Sequence, residues 1–389
     1  MPTNTALLHD LLRMNQMQLQ PASFLEQAPP DLPADLDFGR VEGMMLGLAV
    51  GDALGNTSEG QNPGPRRRAH GEIRHYLPNR HADGLPYGLP SDDSQMAFWT
   101  LESLLEHRGL DPEALLERFA TERIYGIGRA VSECVSRYRG GTRPWYRCAA
   151  TSAGNGALMR IAPILIPHLR APSAALWADA ALAARITHND CASTAACVAW
   201  VHILWQALGM SHPPEPRWWL DAYVEVARVL EGESRYDVRG GAHMGYAGPV
   251  WRFAQERVAE AYAGGLSVQA ACDAWYSGAY LLETVPSVLY ILMRHGADPE
   301  EAIVRAVNDT HDNDTIAAIV GAAVGALHGR AALPSRWLDG LSGRTREADS
   351  GRMFALLTEA RLAFWEGATS TSPADPPAAS PPTAAQEET

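Results

Sequence analysis

Gly43-Met-Met-Leu-Gly47-Leu-Ala-Val-Gly51-Asp52-Ala-Leu-Gly55 carries glycine at every fourth position. A spacing of four places all of these glycines on one face of a helix, although each costs about 1 kcal/mol against alanine in a helix interior. Such a face is useful where another backbone must approach closely. The matching surface lies far along the chain, in Ile316-Ala-Ala-Ile-Val-Gly321-Ala-Ala-Val-Gly325-Ala-Leu-His-Gly329. The two stretches are expected to pack as helices in the centre of the protein, which would bring the polar turns at their ends together. Their GxxxG spacing also occurs in membrane helices, but neither approaches the roughly 20 apolar residues needed to span a bilayer.

One of those polar turns is Asp312-Asn313-Asp314-Thr315, immediately before the second glycine helix. A turn of similar construction, Ser91-Asp92-Asp93-Ser94, follows Pro90 and leads into Met96-Ala-Phe-Trp-Thr-Leu. Each segment alone supports two readings. Asp, Ser and Thr are good helix caps, an acidic first turn complements the helix dipole, and Asp92 with Gln95 approximates a capping box. The same oxygens suit a hard cation such as Mg²⁺ or Mn²⁺ and suit zinc poorly. If the turns met, Ser91, Asp92, Asp93, Asp312, Asp314 and Thr315 would present six oxygen-bearing side chains to one space.

The chain has 389 residues, 46% hydrophobic and 20% charged, ample for a large core. A formal charge of −13 argues against general binding to nucleic acid or an anionic membrane. An anionic substrate would need local help from a metal or backbone amides. Cys134, Cys148, Cys191, Cys197 and Cys272 form no CxxC pair, so a disulfide framework or zinc site is not expected and a reducing compartment fits. Polar residues from His9 to Gln16 interrupt the first leucines, giving no export signal and a cytoplasmic expectation.

Residues 6–19 place leucine and methionine at near-helical spacing before Pro21, and a proline-rich joint follows. This divides the sequence into an N-terminal extension over 1–37, a main domain over 38–366, and a Ser-, Thr-, Pro- and Ala-rich tail over 367–389 expected to be disordered. The extension either docks on its own domain or serves as an arm whose leucine face contacts a partner. Ten further helices are expected: 96–106, 112–124, 173–187, 193–208, 218–230, 250–263, 267–282, 287–295, 299–308 and 352–365. Loops are expected around 56–90, 138–156 and 231–249. The architecture predicted is all-α, an orthogonal multi-helix bundle in one domain.

In order along the chain, Gly51-Asp52-Ala-Leu-Gly55 through Glu59, Ser91-Asp92-Asp93-Ser94, Gly154-Asn155-Gly156-Ala-Leu-Met-Arg160-Ile-Ala-Pro163, Thr187-His188, Val285-Pro286-Ser287 and Asp312-Asn313-Asp314-Thr315 resemble the blocks of the ADP-ribosylglycohydrolase family. The resemblance covers roughly 41–330 and is to its ADP-ribosylarginine hydrolase and dinitrogenase-reductase-activating members. It implies an all-helical fold with two Mg²⁺ ions, Mn²⁺ being an alternative, held by Ser91, Asp92, Asp93, Asp312, Asp314 and Thr315. It implies that a water attacks the anomeric carbon of ADP-ribose, with Asp92, Asp93, Asp312 and Glu59 as the candidate catalytic carboxylates. It also implies substrate contacts from Ser152, Gly154, Asn155, Gly156 and His188, and from Tyr125, Gly126 and Gly128. Outside that context Glu59 is an exposed loop carboxylate, Gly-Asn-Gly a plain turn, and His188 a core histidine. His311 and Asn313 stand where the family pattern has other residues; His311 alters the walls of the site, while Asn313 is expected to be tolerated because it need not ligate.

The expected activity is Mg²⁺-dependent cleavage of ADP-ribose from a modified protein side chain, arginine first among the acceptors, with serine and free ADP-ribosyl compounds open. Some family members are immunity proteins against ADP-ribosyltransferase toxins. A different class of function would be a binding inhibitor that occludes such a toxin through residues 1–37, with little or no turnover. A third would be a structural protein that keeps the fold without catalysis, which the intact set of oxygen ligands argues against. The triplet Arg66-Arg67-Arg68 is read as a solvated loop that could meet an acidic protein substrate.

Overall fold

A computed structural model describes residues 3–367. In it the glycine helices Gly39–Gly55 and Asn313–His328 run together with almost no space between their backbones. A Cβ built on Gly47 would lie 2.1 Å from the Gly321 carbonyl oxygen, and one on Gly321 would lie 2.1 Å from that of Gly47. Gly43 with Gly325, Gly51 with Ala317 and Gly55 with Asp314 are equally close, at 2.0 to 2.5 Å. Gly329, the third glycine of the second stretch, also lies at this interface, its carbonyl carbon 2.5 Å from a Cβ built on Gly43, but it is not part of the helix. It adopts φ +80°, ends the helix, and donates its amide to the Gly325 carbonyl at 2.8 Å, the role of a glycine just past a helix C-terminus.

Sixteen α-helices are present among the described residues. In chain order they are α1 (Asn4–Arg13), α2 (Gly39–Gly55), α3 (Pro63–His70), α4 (Asp92–His107), α5 (Pro112–Thr121), α6 (Arg129–Arg139), α7 (Ala175–Thr187), α8 (Cys191–Gly209), α9 (Pro216–Glu231), α10 (Val250–Ala263), α11 (Val268–Trp275), α12 (Leu281–His295), α13 (Pro299–Asp309), α14 (Asn313–His328), α15 (Ser335–Gly340) and α16 (Arg352–Ala360). The only sheets among these residues are two antiparallel ribbons, Pro78–Asn79 with Leu85–Pro86 and Tyr236–Asp237 with Ala247–Gly248. The α2–α14 pair forms the axis, and α4, α8, α12 and α13 pack around it in an all-α bundle. Helix α8 is long and apolar enough to cross a bilayer, yet 89% of that apolar stretch is buried inside the protein.

Several expected elements are cut or extended for local reasons. The helix expected over 267–282 stops at Trp275, because Tyr276 and Ser277 take φ values of +77° and +44° before α12 begins at Leu281. Helices α3, α6 and α15 were not anticipated. Helix α6 is amphipathic, burying Val131, Cys134 and Val135 between charged residues, and α3 begins at the N1 proline Pro63 inside the expected loop over 56–90.

The N-terminal helix ends at Arg13, short of residue 19. Asn15 turns left-handed at φ +52°, and the Gln16 and Asn15 amides fold back onto the Leu11 and Leu12 carbonyls. Leu8 and Leu11 are buried in the common core, so the chain's own body covers the leucine face that the arm reading would offer to a partner. Asn4 Nδ2 donates to Asp179 Oδ1 at 2.6 Å, Trp177 Nε1 to the Gln27 carbonyl at 2.7 Å, and Trp205 Nε1 to the Pro30 carbonyl at 2.8 Å. All five cysteines are free thiols. The tail expected to be disordered lies, beyond Gly367, outside the described residues.

Candidate metal centre and substrate cavities

The close approach of α2 and α14 puts Asp52, near the end of α2, beside the first turns of α4 and α14. Asp52, Asp93 and Asp314 each present a carboxylate oxygen within 4.8 Å of the others, and all three are buried. Asp52 is organised by the Ser91 turn. It accepts from the Ser91 amide at 2.9 Å, the Ser91 hydroxyl at 2.7 Å, the Ser94 amide at 3.1 Å, the Ser94 hydroxyl, and Asn56 Nδ2 at 3.0 Å. Asp93 is less well supplied: Ser91 Oγ lies 3.0 Å from its Oδ2 but has a single proton to share with Asp52, and its Oδ1 is buried with no hydrogen-bond partner.

Burial raises the pKa of Asp52, Asp93 and Asp314, and mutual repulsion adds to this at Asp93 and Asp314. Asp92 is raised by burial and by Asp52, and Asp312 is pushed up to about 7, chiefly by burial. Carboxylates crowded away from water, one with an orphaned oxygen and none with a basic side chain as hydrogen-bond partner, fit a divalent cation with a preference for oxygen. Asp52, Asp93 and Asp314 would hold it, with Ser91, Asp92, Asp312 and Thr315 around them.

Asp52 was not among the expected ligands. The signal available was its place as the only charged residue between Gly43 and Gly55. Asn313 plays no part at the cluster: its Nδ2 donates to the Gly55 and Val307 carbonyls and to Ser58 Oγ, tying α14 to the end of α2.

The reading of Arg66 as part of a solvated loop is corrected. It sits in α3, is fully buried, and donates to the carbonyls of Gln61 (2.6 Å), Val307 (2.8 Å) and Thr310 (2.7 Å). It thereby clamps the end of α13 and the turn leading into Asp312. His311 stacks on Tyr276 at 4.5 Å, and its amide donates to Ser277 Oγ at 3.1 Å, holding the same turn from the other side.

One cavity opens onto the cluster and a second lies beside it, and Glu59 and Gly126 line both. The smaller, about 420 Å³, is bounded by Asp92, Asp93, Asp312, Asp314 and Thr315 on one side and by the 152–156 loop with His188 on the other. Gly128 lies on this side and donates its amide to Asp92 Oδ2 at 3.3 Å. Gly126, at φ +67°, passes close enough that a Cβ would sit 3.6 Å from Asp92 Oδ1. The larger cavity, about 760 Å³, is lined by Tyr125. Glu59 is exposed at the shared rim, its pKa raised by partial burial and then by Asp52.

The 152–156 loop lines the cavity with its polar groups partly committed. The Gly154 amide donates to Ser152 Oγ at 3.2 Å and the Asn155 amide to the Ala279 carbonyl at 3.1 Å. Asn155 Nδ2, expected to serve as a substrate donor, instead donates to Asp312 Oδ2 at 2.6 Å and Thr284 Oγ1 at 3.0 Å. Gly156 leaves room for the His188 ring, since a Cβ there would lie 3.1 Å from its Cε1. Arg160 Nη2 donates to Thr187 Oγ1 at 2.7 Å, which directs the Thr187 hydroxyl proton to His188 Nδ1 at 2.9 Å. This network assigns the proton of the neutral ring to Nε2. Burial, with Arg160 second, lowers the His188 pKa to about 3, so the ring is an uncharged donor on the cavity wall.

A family model described as ADP-ribosylglycohydrolase matches residues 33–363. The chain belongs to the ADP-ribosylglycohydrolase family. It is 29% identical over 331 residues to an ADP-ribosyl-(dinitrogen reductase) glycohydrolase of Rhodospirillum rubrum, covering 83% of this chain and 97% of that protein. It is 24% identical over 338 residues to an ADP-ribosylarginine hydrolase of Pseudomonas putida, covering 82% and 80% respectively. A solved structure described as an ADP-ribosylglycohydrolase-related protein complex aligns with a TM-score of 0.59 and 28% identity over 85% of this chain and 98% of that one.

Proposed function

We propose that this protein hydrolyses the N-glycosidic bond between ADP-ribose and an arginine side chain of a modified protein, using a pair of Mg²⁺ ions, one at the Asp52, Asp93 and Asp314 cluster and a second among Asp92, Asp312 and Thr315 beside it. The observation that carries the reading is the orphaned, buried Asp93 oxygen at a three-carboxylate cluster on the wall of the smaller cavity. The family assignment and the relative named as an ADP-ribosylarginine hydrolase support the substrate class.

In this reading ADP-ribose occupies the smaller cavity, with His188 Nε2 donating to the diphosphate and the ribose facing the carboxylates. Bound Mg²⁺ would supply positive charge to polarise a water and to favour the ionised carboxylates. Asp312, held by Asn155, and Asp92, held by the Gly128 amide, would orient the water, and Glu59 would stand at the rim through which the acceptor leaves. The water oxygen bonds to the anomeric carbon as the carbon–nitrogen bond breaks. One water proton passes to a carboxylate and from there, directly or through water, to the departing guanidine nitrogen, so free ADP-ribose and unmodified arginine result and the carboxylate is restored.

The test is release of ADP-ribose from an ADP-ribosylarginine protein with Mg²⁺, with EDTA, and with Asp314→Ala. Release that needs Mg²⁺ and is lost in the variant is the expected result. No release, or release indifferent to EDTA and to the substitution, overturns the reading.

A further inference from the structure

The cavity beside Tyr125 has no role in the chemistry above. It adjoins the smaller cavity at Glu59 and Gly126 and reaches Ser91, so a chain leaving the carboxylate side of the smaller cavity past Glu59 would enter it. With ADP-ribose in the smaller cavity, the larger one is left for the polypeptide that carries the modified side chain. Its wall holds the guanidinium groups of Arg80, Arg123 and Arg344. None of the three forms an ion pair with a carboxylate among the described residues. Arg80 Nε donates to the His81 ring at 3.1 Å. Arg123 and Arg344 flank the Tyr125 ring at 6.0 and 5.9 Å, and Arg344 Nε is buried without a partner.

Neighbouring arginines behave differently. Arg346, two residues from Arg344, is tied to Glu102 at 3.0 Å and Glu122 at 2.9 Å. Against the three unpaired cations the wall sets Glu347 and Glu59, the latter at the cluster end. An excess of positive charge in a deep groove of a chain with net charge −13 is a local exception, and it complements a partner of opposite sign.

We propose that this cavity receives the polypeptide flanking the modified residue, and that Arg80, Arg123 and Arg344 select substrates with aspartate or glutamate at those flanking positions. The proposal rests on the hydrolase reading for what occupies the smaller cavity. It assigns protein-substrate choice to residues outside the metal cluster.

The test uses the full chain and two readouts. The first is fluorescence anisotropy with labelled, unmodified peptides that place either acidic or neutral residues around an arginine. The second is turnover of the same peptides carrying ADP-ribosylarginine, beside free ADP-ribosylarginine. At low salt the acidic peptide binds tighter by about tenfold, and high salt or the combined Arg80→Glu, Arg123→Glu and Arg344→Glu substitutions remove the preference. The combined variant raises KM for the acidic modified peptide by a similar factor and leaves kcat/KM for free ADP-ribosylarginine within about twofold. Arg123→Glu alone, at an exposed position, gives part of the effect and guards against misfolding at the partly buried Arg344. Equal binding of acidic and neutral peptides, or equal damage to free ADP-ribosylarginine turnover, overturns the proposal. A binding preference without any release of ADP-ribose supports the docking surface while overturning the hydrolase reading.

Discussion

Gly47 and Gly321 face each other so closely that a Cβ on either would lie 2.1 Å from the carbonyl oxygen of the other. Both neighbours are helix backbone, which cannot rotate aside as a side chain can. Gly47→Ala or Gly321→Ala is therefore expected to lower stability by about 3 kcal/mol or more in equilibrium urea unfolding. Because each methyl forces the same helices apart, the double variant should cost less than the sum of the singles. Mg²⁺ affinity should fall with stability, since the same displacement moves Asp314 away from Asp52. A loss below about 0.5 kcal/mol in either single variant would show that the helices can separate freely.

The carboxylate cluster predicts a pH dependence with a defined sign. Asp52, Asp93 and Asp314 have folded pKa values above the ordinary range, and that of Asp312 is about 7. Each folded carboxyl thus binds its proton more tightly than the unfolded one, whose pKa is about 4. Without a cation, stability should fall as pH rises from about 4 through 7 and beyond. Saturating Mg²⁺ should flatten the slope and raise Tm most at high pH, because it stabilises the ionised cluster. Thermal melts from pH 5 to 8, with EDTA and with Mg²⁺, read this directly. Parallel profiles would count against a cation at these residues.

Arg66 marks the limit of what the sequence disclosed. The glycine stripes and acidic turns were legible because their patterns are local, and together they gave the helical class and a set of candidate oxygen donors. Arg66 lies in an arginine triplet that looks solvated, and its partners are carbonyls of residues 307 and 310, which no spacing reveals. Asn155 is similar: its commitment to Asp312 depends on a contact across half the chain. Asp52 was visible as a lone acid in an apolar helix, but its five donors come from Asn56 and the Ser91 turn folding over it.

The contrast within the triplet is itself testable. Arg66→Ala strands several buried carbonyls and should destabilise by about 3 kcal/mol, with weaker Mg²⁺ binding because the Asp312 turn loosens. Arg68→Ala, at an exposed position two residues on, should change stability by no more than about 0.5 kcal/mol. Denaturation of the two variants side by side checks the assignment, and similar small effects would return Arg66 to the surface.

The N-terminal extension makes a further prediction. Leu8, Leu11, Met17, Leu19 and Leu25 are buried against the body, and Trp177 and Trp205 donate to extension carbonyls. Deleting residues 1–37 should expose an apolar strip and lower Tm markedly, rather than release a spare binding arm. A truncated protein with unchanged Tm would mean that the extension is held only weakly.

His188 offers the most specific check on the smaller cavity. Its pKa of about 3 keeps the ring neutral at every pH where the protein would be assayed, and Thr187 fixes the remaining proton on Nε2. The histidine should therefore contribute no ionisation to the pH–rate profile between pH 5 and 8. His188→Ala should raise KM for an ADP-ribose-bearing substrate by about tenfold, the loss of one hydrogen bond to a charged diphosphate, with a smaller change in kcat. His188→Gln, which can place an amide N–H near the same point, should recover part of the loss. A pH-dependent step that disappears in His188→Ala would contradict the neutral assignment and would make the ring a proton carrier.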